Sequence, residues 1–193
     1  GTGTAASLTS GGRQIVGGTA LNTTVGAGGE QVLSGTGWAL TSNALLSGGT
    51  QSLAAGAVLS GTTVASGVTQ TVSSGGTAQD EIISGTQNVL ASSLASGTKV
   101  ENGGVQNVAS AAMASGTTVS AGGTLLLSAG GAAAGTTTIG GTTLDGKSVY
   151  GVLQAHETAV LSGTVNIDSL GSASGGILCG IENVSSGGTG TVT

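Results

Sequence analysis

The segment Gly103-Gly104-Val105-Gln106-Asn107-Val108, followed later by Gly116-Thr117-Thr118-Val119, decides the fold of this chain because it recurs along the sequence. The steps between successive copies of its glutamine are 17, 20, 19, 17 and 19 residues. A further copy, Leu125-Leu126-Leu127, follows in the same rhythm and loses the glutamine. A period near 19 residues is typical of a repeat architecture. The glutamines of the repeat, each two residues before an aliphatic side chain, are Gln14, Gln31, Gln51, Gln70, Gln87 and Gln106.

The composition favours an ordered rod with a narrow core. The 193 residues include 40 glycines and no proline, 37% are hydrophobic, 1% are aromatic, and the net charge is −5. Disordered chains combine low hydrophobicity with high net charge, and this chain has neither. Burial has to come from many small aliphatic contacts of about 1–3 kcal/mol each. We therefore expect a core that is only a few side chains across.

Two aliphatic columns run through the aligned repeats. Because side chains alternate faces along a strand, two such columns predict two core-facing strands in each rung. The glutamine shares the parity of the first column, so it is predicted to point inward and to stack as a structural ladder. The alternative is a row of ligand-binding amides. The second column is predicted to contain Val25, Leu45, Val64, Ile82, Val100, Val119 and Ile139.

Short strands between glycine turns at a fixed period predict an all-β fold, a right-handed parallel β-helix (β-solenoid) with about one rung per 19 residues. The long return path between equivalent strands makes the pairing parallel. Residues 1–140 are expected to form the regular 19-residue-repeat solenoid, and residues 141–193 to continue it with irregular rungs. Asp145-Gly146 is a hairpin or turn signal in that second part.

The few charges exclude several classes of partner. Only 3 residues are Lys or Arg, so the chain lacks the positive charge that binding to nucleic acid or to an anionic membrane surface needs. No apolar run reaches the ~20 residues that span a bilayer. A threonine-rich outer column resembles the rows of ice-binding solenoids, which leaves ice binding as an alternative function. Glu81 and Lys99 interrupt that column and are predicted to form an exposed ion pair.

A polysaccharide-active enzyme on the same scaffold is the other alternative, and such enzymes need clustered carboxylates or a calcium site. Asp80 and Glu81 are the adjacent acids, and strand alternation directs them to opposite faces. His156 is the single histidine and is predicted to be a solvated turn residue. We predict no catalytic, cofactor-binding or metal-binding residue. Cys179, among aliphatic neighbours, is predicted to be a small core residue.

The repeated string resembles the repeats of the AIDA/TibA-type self-associating autotransporter adhesins of Gram-negative bacteria. Gly11-Gly12-Arg13-Gln14-Ile15-Val16 followed by Thr23-Thr24-Val25 is a close match to that pattern. The resemblance is strong over roughly residues 3–140 and weak beyond them. It implies a non-enzymatic passenger domain on the bacterial cell surface, anchored through a β-barrel translocator outside this fragment or secreted.

The same resemblance implies self-association with other copies of the chain, biofilm formation and adhesion to the host-cell surface. It also implies that a dedicated cytoplasmic, iron-containing heptosyltransferase uses the chain as an acceptor for O-linked heptose. Turn serines are the accessible hydroxyls, although serine also favours turns for purely structural reasons. The candidate acceptors, each before a glycine, are Ser34, Ser60, Ser74, Ser96 and Ser115.

Overall fold

The protein is a parallel β-solenoid with about 19 residues per turn, which confirms the predicted fold class. The computed structural model describes residues 3–4, 6–18, 20–21, 23–35, 38–39, 44–140, 142–144, 147–149, 151–155, 160–167 and 171–191. Every regular element within these ranges is a strand. The strands are short because a glycine-rich turn follows every few residues.

One side of the solenoid is a sheet of ten parallel strands that carries the glutamines. Glutamine pairs with glutamine and aliphatic with aliphatic from one rung to the next, as in the pairs Gln70–Gln87 and Val72–Val89. We call this sheet the glutamine sheet. Its strands are Arg13–Val16, Glu30–Leu33, Thr50–Leu53, Thr69–Val72, Thr86–Val89, Val105–Val108, Thr124–Leu127, Gly151–Ala155, Gly171–Ser174 and Thr189–Thr191.

A second side consists of two-residue strands that hold the predicted second aliphatic column. Its strands are Ser7–Leu8, Thr24–Val25, Ala44–Leu45, Thr63–Val64, Ile82–Ile83, Lys99–Val100 and Thr118–Val119, followed by the longer Thr136–Ile139.

A third side was not predicted, so the prediction of two strands per rung is wrong. Its inward side chains are mostly alanines, such as Ala78, Ala95 and Ala114, which are buried in the structure and resemble turn residues in the sequence. We call these strands the third-side strands. They are Trp38–Ala39, Val58–Ser60, Thr77–Gln79, Leu94–Ser96, Met113–Ser115 and Ala132–Ala134.

The second and third sides form one sheet because Val160–Ile167 is long enough to continue both. The last strand of this sheet, Ile177–Val184, pairs with Val160–Ile167 in parallel. Thr142–Leu144 and Lys147–Val149 form an antiparallel pair on either side of residues 145 and 146, as the Asp-Gly signal predicts. A further parallel pair, Gly3–Thr4 with Ala20–Leu21, lies near the N-terminus.

The register on the second side differs from the prediction by one residue at one rung. Ile83 is fully buried and pairs with Val64 and Val100, whereas Ile82 is 38% exposed. A slip of one residue exchanges the two faces of a strand, so the predicted core position of Ile82 is wrong.

Asp80 explains why the prediction for this rung is off by one residue. It occupies the corner where other rungs have Gly61, Gly97 and Gly116, and like them it has a positive φ, of 52°. Aspartate is among the few side chains that adopt this conformation readily. The glycine that marks the corner is therefore missing from the sequence of this rung, although the corner itself is present.

Candidate functional site

The six glutamines form a continuous ladder of side-chain hydrogen bonds inside the solenoid. Gln31, Gln51, Gln70, Gln87 and Gln106 are buried, and Gln14 at the N-terminal end is half-buried. Each Nε2 donates to the Oε1 of the glutamine one rung closer to the N-terminus. The distances, in order from the Gln31–Gln14 bond to the Gln106–Gln87 bond, are 3.0, 2.8, 2.9, 2.7 and 2.7 Å.

The ladder ends where Leu125 replaces glutamine. The Oε1 of Gln106 consequently receives no amide from the next rung, and the hydroxyl of Thr117 donates to it instead at 3.3 Å. A hydroxyl from the neighbouring inward column therefore satisfies the last buried carbonyl. At the other end, the Thr23 hydroxyl donates to Gln14 Oε1 at the same distance of 3.3 Å.

Glu81 is a buried carboxyl group placed against this ladder. It stands in the inward column that Thr62, Thr98 and Thr117 occupy in other rungs. Gln70 donates to its Oε1 at 3.0 Å, and Gln87 donates to its Oε2 at 2.7 Å. Each of these two amides thus bonds both to its ladder neighbour and to Glu81, so that Glu81 bridges two rungs.

Burial raises the pKa of Glu81 from an ordinary 4.5 to about 8, and the two amide donors oppose this rise. Loss of water disfavours the charged carboxylate, whereas donated hydrogen bonds favour it. The carboxyl group is therefore mainly neutral at pH 7. In the next rung of the same column, the buried hydroxyl oxygen of Thr98 has no hydrogen-bond partner within the described part of the chain.

The predicted ion pair between Glu81 and Lys99 is wrong. Lys99 is exposed and pairs with Glu101, with 2.9 Å between Nζ and Oε1. The missing corner glycine explains the error, because Asp80 stands where other rungs have glycine, which places Glu81 in register with inward Thr62 and Ile82 with outward Thr63. A sequence signal existed: Thr62 to Glu81 is a step of 19 residues, as is Gln51 to Gln70.

The outward column on the second side contains Thr63, Ile82, Lys99, Thr118 and Thr138. Ile82, and not Glu81, therefore interrupts the threonines beside Lys99. A second ion pair lies on the outer face of the glutamine sheet, where Arg13 Nε and Glu30 Oε2 are 2.7 Å apart. The Arg13–Glu30 and Lys99–Glu101 ion pairs are both solvent-exposed, and exposed ion pairs contribute little to stability.

The five candidate serines lie at two different corners. Ser96 pairs with Ser115 in register, and Ser60 joins them through Gln79, so these three serines form one column at the end of the third-side strands. All three are half-buried, and each precedes a glycine with positive φ.

The other two candidates follow the glutamine sheet. Ser34 is half-buried and comes directly after the strand Glu30–Leu33, whereas Ser74 is exposed in the turn after Thr69–Val72. The backbone N–H of Ser34 bonds to Val16 and that of Ser73 bonds to Leu53, so Ser34 is aligned with Ser73 and not with Ser74. The two serines therefore belong to different columns.

Other polar groups are dispersed over the rod. Within the described ranges, no three His, Cys, Asp or Glu side chains lie close enough to hold a metal ion. His156 lies outside the described residues. Cys179 is exposed, so its predicted core position is wrong; it follows Ser162 in register, one residue after the inward position of Leu161 and Leu178. Among the described residues, no helix has the length and apolarity to cross a membrane.

The shared fold and its repeats connect this chain to a solved structure. The chain is similar over 100% of its length to the crystal structure of a hyper-glycosylated TibA fragment whose glycosylation is catalysed by TibC. The two chains are 27% identical, the match covers 89% of that fragment, and the TM-score is 0.69. This similarity supports a TibA-like autotransporter passenger. No protein-family model and no curated protein sequence matches the chain.

Proposed function

We propose that this chain is a non-enzymatic passenger segment of a bacterial autotransporter adhesin and an acceptor for O-linked heptose on its turn serines. The observation that carries the proposal is the similarity, over the whole chain, to a TibA fragment that TibC glycosylates. In that role the protein stands on the cell surface or is secreted, and a translocator domain beyond this segment holds it at the outer membrane.

The chemistry asked of the serines is simple. A serine Oγ forms a bond to the anomeric carbon of a nucleotide-activated heptose, and the bond from that carbon to the nucleoside diphosphate breaks. The hydroxyl proton passes to a base of the transferase. The acceptor supplies only a hydroxyl that an enzyme can reach, and turn serines on a rigid rod supply it at regular intervals.

Co-expression with TibC tests the acceptor role. We expect an intact mass above that of the bare polypeptide by whole multiples of one heptose residue, and peptide mapping should place the sugars on serines before glycines. An equally long co-expression with a catalytically inactive transferase is the control. An intact mass equal to that of the unmodified chain in both cultures would contradict the acceptor role.

Self-association is the second part of the proposal. A stack of repeated rungs offers a long surface with few charges, which suits repeated weak contacts between copies displayed on neighbouring cells. Bacteria that display the full passenger should settle from suspension faster than bacteria that display only the translocator. Equal settling of the two cultures at equal surface display would contradict self-association.

A further inference from the structure

The outer face of the third-side strands carries two parallel columns. Val58, Leu94 and Met113 pair through successive rungs as an apolar column, with Thr77 between the first two. Two residues further along each strand is the serine column of Ser60, Ser96 and Ser115, with Gln79 in the rung of Thr77. Residues two apart in a strand point to the same face, about 6.6 Å from one another. Every serine of this column therefore has an apolar neighbour on the same surface.

The residues in the two columns differ from rung to rung. The rungs of Ser60, Ser96 and Ser115 have valine, leucine or methionine two residues earlier, and Val160 stands two residues before Ser162 in the strand that continues this side. The rung with Gln79 has polar Thr77, and the rung with Ala134 has small Ala132. The pairing is not strict, because Ile177, 45% exposed, continues the apolar column in a rung where Cys179 stands in place of serine.

Exposing these apolar side chains to water on an unmodified surface is unfavourable. Met113 is 43% exposed, and Leu94 and Val58 are half-buried. A pyranose ring has C–H groups on its faces and hydroxyl groups around its edge. It can therefore cover an apolar side chain with one face and remain hydrated at its rim.

We propose that the column of Ser60, Ser96 and Ser115 is the row that carries sugar, and that each attached sugar covers the apolar side chain two residues before it. This inference rests on the proposed acceptor function and adds which corner is modified and what the sugar contacts. The transfer is the one described above, in which the serine Oγ displaces the nucleoside diphosphate from the anomeric carbon. Ser74 has no such neighbour, because Val72, two residues earlier, points into the core.

Oxidation of Met113 measures this contact directly, because Met113 is the single methionine of the chain. Hydrogen peroxide converts an exposed thioether to the sulfoxide, and the rate depends on access to the sulfur. The chain co-expressed with TibC and the chain expressed without it are treated in parallel, and sulfoxide formation is followed by peptide mass spectrometry. Covering most of the exposed 43% of Met113 should slow oxidation by roughly threefold.

Two variants make the test specific. Ser115→Ala removes the sugar beside Met113, and the fold accepts alanine in this column because Ala134 already occupies it one rung later. In the glycosylated chain, Ser115→Ala should restore the rate of the unmodified protein. Ser74→Ala, at the other corner, should leave Met113 as protected as in the glycosylated parent chain.

The possible failures are distinguishable. Sugar on Ser115 with an unchanged oxidation rate of Met113 would overturn the covering contact, and sugar confined to the corner of Ser34 and Ser74 would overturn the choice of column. Either result leaves the acceptor function intact. A chain without sugar on any serine would overturn the acceptor function and this inference together.

Discussion

Glu81 places a carboxyl group in a column where neighbouring rungs have threonine. Its two amide donors already belong to the ladder, at 3.0 and 2.7 Å, so the buried group finds partners without any rearrangement of the rungs. Burying an ionised carboxylate is far more costly than burying a neutral one. This difference in cost raises the pKa of Glu81 to about 8.

The stability of the rod should therefore fall as the pH rises from about 5 to about 8. In the folded state Glu81 keeps its proton up to its pKa of about 8, whereas the unfolded chain loses it near 4.5. The stabilisation is complete below the lower value and is lost as the pH rises through the upper one, by at most ~1.4 kcal/mol per pH unit. Urea unfolding at several pH values measures this slope.

Two variants isolate the contribution of Glu81 to the slope. Glu81→Gln replaces the carboxyl group by a neutral amide of the same shape and should flatten the dependence between pH 5 and 8, relative to the parent chain. Glu101→Gln removes a half-buried carboxylate that pairs with Lys99, and it should leave the slope in place. A slope that survives in Glu81→Gln would show that another group causes it.

Ala111 offers a test of corner conformation. Its φ is 57°, and the same corner has glycine in other rungs, at Gly56, Gly75 and Gly130. Alanine adopts a left-handed conformation only with strain, so Ala111→Gly should raise the free energy of unfolding by about 1 kcal/mol. Asp80→Gly, at another corner with a φ of 52°, should gain less because aspartate tolerates this region.

Thermal or urea unfolding at pH 5, where Glu81 is neutral, measures both variants. A gain for Asp80→Gly that equals or exceeds the gain for Ala111→Gly would contradict this ranking.

At the scale of the element, the contribution of each glutamine to the stability of the rod should depend on its position in the ladder. Gln70 takes part in three hydrogen bonds, to Gln51, Gln87 and Glu81, whereas Gln106 takes part in two, to Gln87 and Thr117. Gln70→Leu leaves buried polar groups on both sides without their hydrogen-bond partner and should destabilise the rod by about 2–4 kcal/mol. Gln106→Leu only moves the end of the ladder by one rung and should cost about 1–2 kcal/mol.

Equilibrium urea unfolding compares the two leucine variants, which have the same change in side-chain chemistry. If Gln70→Leu were as stable as the parent chain, the hydrogen bonds of the ladder would contribute nothing to holding the rungs in register. Equal costs for the two variants would contradict the dependence on position.

Sequence patterns identified the strands whose inward and outward side chains differ clearly in polarity or size, and missed the strands in which they do not. The glutamine and valine columns keep their parity in every rung, so the glutamine sheet and the inward direction of its amides could be predicted. The third-side strands could not, because an inward alanine such as Ala95 looks the same in a strand and in a turn. The orientation of Glu81 was missed since its corner has Asp80 in place of glycine.

On the scale of the whole molecule, the described strands of the two large sheets are hydrogen-bonded to strands of the rungs directly above and below them. The stability of such a stack is close to a sum of rung and interface contributions, so rungs with one neighbour open more easily than rungs with two. The side chains of the strands Ile177–Val184 and Thr189–Thr191 are mostly exposed, whereas the inward residues between Val64 and Ile139 are almost completely buried.

Hydrogen exchange should reveal this gradient. Backbone amides in the strands from Thr69–Val72 to Thr124–Leu127 should exchange most slowly, and those of the two last strands should exchange orders of magnitude faster. Exchange followed by mass spectrometry on overlapping peptides provides the measurement. Uniform protection along the whole rod would mean that it unfolds as a single cooperative unit.

The direction of the ladder gives the rod a polarity that its repeated outline conceals. Every amide donates toward the N-terminus, so a block of rungs presents N–H donors at its N-terminal face and carbonyl acceptors at its C-terminal face. With the amides in these orientations, two such blocks join head to tail, because two like faces would set donor against donor or acceptor against acceptor. An inverted block could continue the ladder only if each of its amides rotated by half a turn and so exchanged its donor and its acceptor.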